Sequence, residues 1–192
     1  MDTTTWVVVI VLVALVLLGA VVWLAMNRRR SEHLQEVYGP EYDRTVEERE
    51  DRKAAESELL ERQRRVEGFD IRPLDPAERT RFASRWSAVQ SRFVDDPKAA
   101  LGEADELVTE VMSERGYPMD DFDQRAADVS VDHPRVVEDY RAAHGISERV
   151  RSNDATTEDM RQALVHYRAL FSELLEEADT SGVKSDVKEE TR

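Results

Sequence analysis

Three residues close together in the sequence carry the side chains best suited to chemistry: Asp128, Asp132 and His133. A carboxylate beside an imidazole is the pairing that enzymes use for general-base catalysis. The run from Asp132 to Pro134 is also an ordinary helix start, in which a polar side chain caps the helix and proline takes its first position. The sequence therefore leaves two interpretations of this region open, a helix cap and a ligand-binding or catalytic site.

Other catalytic and metal-binding motifs are missing from the sequence. No two of the four histidines have the i,i+4 spacing with which a helix binds zinc, and the chain has no cysteine. The aspartates at positions 120, 121 and 123 lack the glycine and the distal glutamate of a calcium-binding EF-hand loop. Phosphate-binding glycine motifs and the GxSxG motif are also missing. We therefore expect no catalytic, cofactor or metal site, and the sequence favours a non-enzymatic protein.

A basic segment inside an acidic protein is the second candidate site. The net charge of the chain is −14, whereas residues 62–93 hold eight basic and four acidic side chains. Arg81, Arg85 and Arg92 lie off the apolar stripe of the helix predicted there, so we expect them to be exposed. Either they pair with acidic helices of the same chain, or they form a docking surface for an acidic partner. The overall negative charge argues against nucleic acid as that partner.

The predicted helices position these candidate sites. The first helix of the chain is predicted in the apolar run of residues 6–26. It contains 21 residues without a charge. At about 1.5 Å of rise per residue, a helix of that length spans about 31 Å, close to the thickness of a bilayer's hydrocarbon core. Trp6 and Trp23 lie near its two ends, where indole rings favour the membrane interface. The run predicts a single transmembrane helix in contact with lipid.

Three arginines, Arg28, Arg29 and Arg30, directly follow the apolar run. Positive charge flanking a transmembrane helix favours the cytoplasmic side, so we expect residues 1–5 outside and the C-terminal domain in the cytoplasm. A cleaved signal peptide would need a basic N-terminal region and a shorter apolar core. The reverse topology, with an extracytoplasmic domain, remains the alternative.

Helical periodicity organises the rest of the chain into four segments. Residues 27–40 read as a juxtamembrane segment, and residues 41–67 as one charged helix with three favourable Glu–Arg pairs, a solvated stalk. Residues 68–178 predict a bundle of four to five helices, and residues 179–192 a disordered tail. The sustained heptads of a coiled coil and the two-residue alternation of strands do not occur. The predicted fold class is therefore all-α.

Capping patterns predict where several bundle helices begin and end. Asp75, Pro76 and Glu78 form a capping box with proline at the first helical position, and Thr156 with Asp159 forms a second box. We also expect one short helix to begin after Asp132 and to end at His144-Gly145.

Four motifs resemble an uncharacterised family of small single-pass membrane proteins from bacteria, largely actinobacteria. They are Tyr38–Val46, Phe93–Pro97, Arg115–Pro118 and Val129–Pro134. The resemblance would cover most of residues 30–178. It implies a bacterial inner (cell) membrane and a helical soluble domain, and it implies no activity, cofactor or specific partner.

The sequence thus favours a membrane-anchored helical module that acts as a scaffold or binds another protein, or a second copy of itself, at the inner membrane. The alternative is a membrane-tethered enzyme or ligand-binding domain that uses Asp128, Asp132 and His133.

Overall fold

The computed structural model describes residues 17–19, 21, 22, 26 and 28–176. Every regular element in these residues is helical and none is a strand, which confirms the all-α prediction. The helices are α1 (residues 28–38), α2 (Pro40–Arg49), α3 (Arg52–Val66), α4 (Pro76–Arg92), α5 (Pro97–Arg115), α6 (Phe122–Asp132), α7 (Val137–Arg151) and α8 (Thr157–Glu176).

The main hydrophobic core lies among α4 to α8. Helix α8 packs against both α5 and α7, and α4 packs on α5. The Trp86 ring of α4 stacks on Phe171 of α8, with 4.6 Å between the ring centroids. Leu107 and Val111 of α5 are completely or almost completely buried in the same core. Burying each such side chain contributes about 1.5–3 kcal/mol, so this core dominates the stability of the bundle.

A second, smaller core joins α1, α2 and α3. Its buried members are Leu34, Tyr38, Tyr42 and Leu59, and Val131 of α6 packs against them. Because Leu34 and Tyr38 belong to α1, this core attaches the segment that follows Arg30 directly to the rest of the protein.

The prediction of one solvated stalk helix over residues 41–67 is wrong. The chain reverses at Glu50, whose φ of 53° is left-handed, and Asp51 then caps α3 by accepting a hydrogen bond from the Lys53 amide at 3.1 Å. The reversal folds α2 and α3 into a hairpin, which lets Tyr42 and Leu59 share one core. In a straight helix these apolar side chains would stay in water, so their burial favours the hairpin.

The capping-box predictions for α4 and α8 are confirmed. Asp75 accepts from the Glu78 amide at 2.8 Å while the Glu78 carboxylate accepts from the Asp75 amide at 2.9 Å. Thr156 and Asp159 exchange the same pair of bonds, at 2.8 and 3.1 Å.

The expected short helix between Asp132 and Gly145 differs from the structure. His133 follows the end of α6, and α7 begins at Val137 and continues through His144 and Gly145 to Arg151. One face of this longer helix is buried, including Val150 beyond the glycine. The burial outweighs the roughly 1 kcal/mol that an interior glycine costs a helix.

Gly116 ends α5 in a conformation that requires glycine. Its φ is 98°, and a Cβ atom at this position would lie 2.4 Å from the Asp70 carbonyl oxygen. The close approach lets the Arg72 amide donate to the Arg115 carbonyl oxygen at 2.8 Å. Glycine thus allows the connector between α3 and α4 to lie against the end of α5.

The predicted membrane anchor falls mainly on residues that the structure does not describe. Trp6, Trp23, residues 1–5 and the predicted tail of residues 179–192 all lie outside the described part. Within the described residues, no helix has both the length and the apolar character needed to cross a bilayer.

Candidate functional site

Helix α6 carries both aspartates of the predicted site, one helical turn apart, and His133 follows directly as its C-terminal cap. The amide of His133 donates to the Val129 carbonyl oxygen at 2.9 Å. The prediction of a helix start at Asp132 to Pro134 is therefore wrong, because Asp132 ends α6, His133 is its C-terminal cap, and α7 begins only at Val137.

Asp128 faces the hairpin. Its side chain is 1% exposed, and its Oδ1 accepts from Arg65 Nε at 3.0 Å and from Gln124 Nε2 at 2.8 Å. Arg65 also reaches Asp120, at 2.5 Å. The guanidinium of α3 thus lies between two carboxylates of the α5–α6 region, and Asp128 serves as the buried half of an ion pair.

Asp132 and His133 face other neighbours. Asp132 is exposed and its Oδ2 accepts a 2.7 Å hydrogen bond from the Tyr117 hydroxyl. The His133 ring is buried, with Nε2 3.4 Å from Arg115 Nη1 and Nδ1 3.7 Å from a Glu173 carboxylate oxygen. The imidazole therefore points towards α5 and α8, away from the hairpin that Asp128 contacts.

These three side chains contact different neighbours. Each holds a different pair of elements together: Asp128 joins α3 to α6, Asp132 joins α6 to the chain after α5, and His133 lies between α5 and α8. General-base catalysis needs the carboxylate to orient the imidazole and the imidazole to reach a substrate. The contacts of His133 include Arg115 Nη1 and a Glu173 carboxylate oxygen.

A pocket of about 530 Å³ adjoins part of this region. Its apolar lining includes Val66, Phe69 and Val131, and its charged lining includes Arg115 and Asp132. Two hydrogen bonds fix the orientation of the Arg115 guanidinium, which donates to the backbone oxygens of Arg72 and Leu174 at 3.3 and 3.2 Å. The pocket combines an apolar surface with both charge signs, and neither Asp128 nor His133 lines it.

The strongest concentration of buried charge lies elsewhere, around Glu41 in the first turn of α2. Its side chain is 0% exposed. Arg44 donates two hydrogen bonds to it, both at 3.1 Å, and Arg62 of α3 donates one at 2.6 Å. Arg141 of α7 binds it with two bonds, at 2.7 and 3.1 Å. We refer to Glu41, Arg44, Arg62 and Arg141 as the Glu41 cluster.

The electrostatics of the Glu41 cluster keep the carboxylate ionised. Burial alone would raise the pKa of Glu41, but the hydrogen bonds from Arg44 and Arg62 and the charge of Arg141 outweigh burial and hold the pKa below its usual range. Burial in turn lowers the pKa of the Arg141 guanidinium, against the opposing effect of Glu41. With five donated bonds, the carboxylate has no lone pair left for a metal ion or a substrate proton. The Glu41 cluster therefore has a structural role, holding α2, α3 and α7 together.

A pocket of about 470 Å³ lies beside the Glu41 cluster. Its charged lining mixes three arginines with four carboxylates: Arg44, Arg62, Arg141, Glu48, Glu58, Asp121 and Asp123. The mixture favours neither an anion nor a cation strongly, and the pocket is better explained as the solvated edge of the ion-pair network.

The sequence contains only part of the signal for the Glu41 cluster. Glu41 and Arg44 have the i,i+3 spacing of a helical ion pair, and Glu41 lies within one of the motifs that carry the family resemblance. Arg141, however, is 100 residues away, and only the folded hairpin brings it to Glu41.

The exposed arginines of α4 lie as predicted, off the apolar stripe. Arg85 binds Glu110 of α5 at 2.6 Å, Arg92 binds Glu103, and Arg81 lies 3.9 Å from Glu114. Their side chains are 46–56% exposed. Each arginine thus already has an acidic partner in the same chain, which favours the intramolecular interpretation over a docking surface.

Two of the other histidines, His144 and His166, also have structural partners. His144 stacks on Phe122 at 3.6 Å between ring centroids, and His166 Nδ1 lies 2.6 Å from Asp139 Oδ1. Within the described ranges, no three histidine or acidic side chains come close enough to hold a metal ion.

Comparison of the chain with protein-family models, with curated proteins and with solved structures finds no match.

Proposed function

We propose that this protein is a non-enzymatic helical binding module or scaffold, anchored in a bacterial inner membrane by residues 6–26, with its C-terminal domain in the cytoplasm. It binds another protein or a second copy of itself. The observation that carries the proposal is the exposed apolar surface before Arg28. The side chains concerned are 49–67% exposed: Leu17, Leu18, Val21, Val22 and Met26.

Exposed apolar side chains in such a run favour a lipid environment, because contiguous apolar surface is costly in water. The three arginines that follow are exposed as well, and cationic side chains at this place suit the cytoplasmic headgroup region. Helix α1 then enters the smaller core through Leu34 and Tyr38. The anchor would therefore connect to the bundle through packed helices and not through a flexible linker.

The contacts of the predicted catalytic residues support binding over catalysis. Asp128, Asp132 and His133 each stabilise the contact between two elements, and Glu41 is saturated by arginines. In a binding module, buried ion pairs of this kind keep the surface in one arrangement.

Membrane extraction with alkaline carbonate, combined with a C-terminal topology reporter, tests the anchor and its orientation. We expect the chain to stay in the membrane pellet and the reporter to be active only in the cytoplasm. Release by carbonate, or a periplasmically active reporter, would contradict the proposal.

Co-purification from detergent-solubilised membranes, with mass photometry of the eluted particle, tests the binding role. We expect a second protein or a defined oligomer. Recovery of a monomer alone at every protein concentration would contradict a scaffold function.

The pocket beside Asp132 supports small-molecule binding as a second candidate function. Ligand-observed NMR of a fragment library with the solubilised full-length chain tests it. Gln63→Trp, which adds bulk at the pocket lining, should abolish specific hits, whereas Arg64→Trp, at the neighbouring exposed position outside the lining, should leave them unchanged. Equal hits with both variants would place the binding elsewhere.

A further inference from the structure

Helices α1 and α3 run side by side in the same direction. Ser31 of α1 is buried and lies near the Glu56 carboxylate of α3, whose pKa it helps to lower. Further along both helices, the Tyr38 hydroxyl donates to the Leu59 carbonyl oxygen at 3.3 Å. Because both contacts advance in the same order, the N-terminus of α3 lies at the Arg30 end of α1.

The register of these helices places the α2–α3 turn beside the arginines that follow the predicted anchor. Arg52 precedes Glu56 by four residues, which is about 6 Å along the helix axis. Three residues back from Ser31, about 4.5 Å along the axis, lies Arg28. Arg52 is held there, because its Nε donates to the Tyr42 hydroxyl at 2.9 Å and to Glu56 Oε1 at 3.0 Å.

This end of the molecule is basic, unlike the chain as a whole. Residues 28–33 and 49–53 together hold six basic and three acidic side chains. Glu56 and Glu58 pair with Arg52 and Arg49, and with these two partners counted the net charge is 6 − 5 = +1, in a chain of −14. The basic side chains are all exposed: Arg28, Arg29, Arg30, Arg49, Arg52 and Lys53. A positive surface next to a membrane anchor is attracted to anionic lipid headgroups, while the acidic remainder of the protein is repelled from them.

We infer that the α2–α3 turn is a second membrane contact, in which Arg52 and Lys53 join Arg28 to Arg30 in binding the phosphate groups of anionic lipids. The inference rests on the proposed anchor. The turn thus folds back to the leaflet, and the bundle is held at the membrane surface at two points.

The absence of cysteine permits single-site labelling of the full-length chain in lipid nanodiscs. Ala54→Cys places an environment-sensitive fluorophore at the exposed start of α3, and Gln63→Cys places it nine residues further along, about 13 Å away on the same helix. Nitroxide groups on the lipid headgroups then quench whichever label lies near the membrane. We expect strong quenching at position 54 and at least about two-fold weaker quenching at position 63.

Lipid charge tests the nature of the contact. Replacing neutral phosphatidylcholine by a mixture with phosphatidylglycerol should increase the quenching at position 54, and 0.5 M salt should reverse the increase. Lys53→Glu should remove the dependence on anionic lipid, whereas Arg64→Glu, an equal charge reversal at the far end of α3, should preserve it.

Three outcomes would overturn the inference. Equal quenching at positions 54 and 63 in a correctly inserted chain would show that the turn does not face the membrane, while leaving the anchor intact. Quenching at position 54 that does not change with lipid charge or salt would show that the turn lies near the membrane but does not bind the headgroups. Failure of the chain to enter nanodiscs would refute the anchor itself, and with it the second contact.

Discussion

At the residue scale, Glu41 is the most consequential side chain, because one buried carboxylate neutralises guanidinium groups from three helices. Glu41→Gln keeps the shape but removes the buried counter-charge of Arg141, and it leaves Arg62 paired with Glu58 alone. Breaking a buried ion pair on one side costs about 3–5 kcal/mol, so we expect a loss near 3 kcal/mol in the free energy of unfolding. Urea unfolding of the detergent-solubilised chain, followed by circular dichroism, measures it.

Glu48→Gln is the matched control for this change. Glu48 also binds Arg44, but its side chain is 53% exposed. A surface ion pair of this kind contributes less than about 1 kcal/mol. Equal destabilisation by the two variants would mean that burial of Glu41 is not what makes the cluster important.

The Glu41 cluster also predicts a dependence of stability on pH. The pKa of Glu41 in the folded protein lies below its ordinary value of 4.5. Its contribution to stability is therefore present above that pH and is lost as the pH falls through the folded-state pKa. The difference in unfolding free energy between the wild type and Glu41→Gln should therefore be constant near neutral pH and shrink below about 4.5. A difference that grows in acid would contradict the assigned direction of the pKa shift.

Single residues of the candidate sites were more predictable from the sequence than their combinations. Arg81, Arg85 and Arg92 are exposed as the helical periodicity predicted, whereas Asp132 and His133 end α6 instead of starting the next helix. The pairing of Glu41 with Arg141 depends on how three helices pack, and no local pattern encodes a contact between residues 100 positions apart.

At the scale of elements, local chemistry explains which predictions succeeded. The capping boxes at Asp75 and Thr156 were predictable because all their hydrogen bonds lie within four residues. The break between α2 and α3 was not, since Glu50 adopts a left-handed conformation that glutamate normally avoids. That strain is tolerated because the hairpin buries Tyr42 and Leu59, a gain visible only in the folded protein.

Gly116 provides a prediction at the junction of α5 with the α3–α4 connector. Gly116→Ala should destabilise the protein by about 2–4 kcal/mol, because alanine is disfavoured at positive φ and its Cβ would collide with the Asp70 carbonyl oxygen. Thermal unfolding of the purified chain measures the change.

Gly102→Ala, inside the same helix, should have the opposite effect. A Cβ at position 102 meets no atom within 4 Å, so alanine should stabilise α5 by about 0.5–1 kcal/mol. If both variants destabilise the protein equally, the conformational role assigned to Gly116 is wrong.

At the scale of the whole molecule, the helical hairpin is fixed to the bundle through the Arg65–Asp128 ion pair and the Glu41 cluster. Asp128→Asn removes the buried charge that holds α3 on α6. We expect the amides of α3 to exchange with solvent about ten-fold faster, equivalent to ~1.4 kcal/mol, while exchange in α8 stays unchanged. Hydrogen–deuterium exchange with mass spectrometry resolves the two helices.

Asp120→Asn is the corresponding control, because Asp120 binds the same guanidinium from a side chain that is 50% exposed. Its effect on α3 should be clearly smaller than that of Asp128→Asn. Uniform acceleration of exchange across α3 and α8 in the Asp128 variant would indicate global unfolding and not release of the hairpin.

The smaller core formed by Leu34, Tyr38, Tyr42 and Leu59 has a consequence for how neighbouring molecules meet. A bundle on a flexible linker would sample all orientations and lose that freedom on every encounter. Packing of Leu34 and Tyr38 in this core fixes α1 to the hairpin, so the proposed anchor would hold each bundle within a narrow range of heights and tilts above the bilayer. Much of the rotational entropy of association is then lost before contact, so weak complementary surfaces can suffice to assemble such molecules within the plane of the membrane.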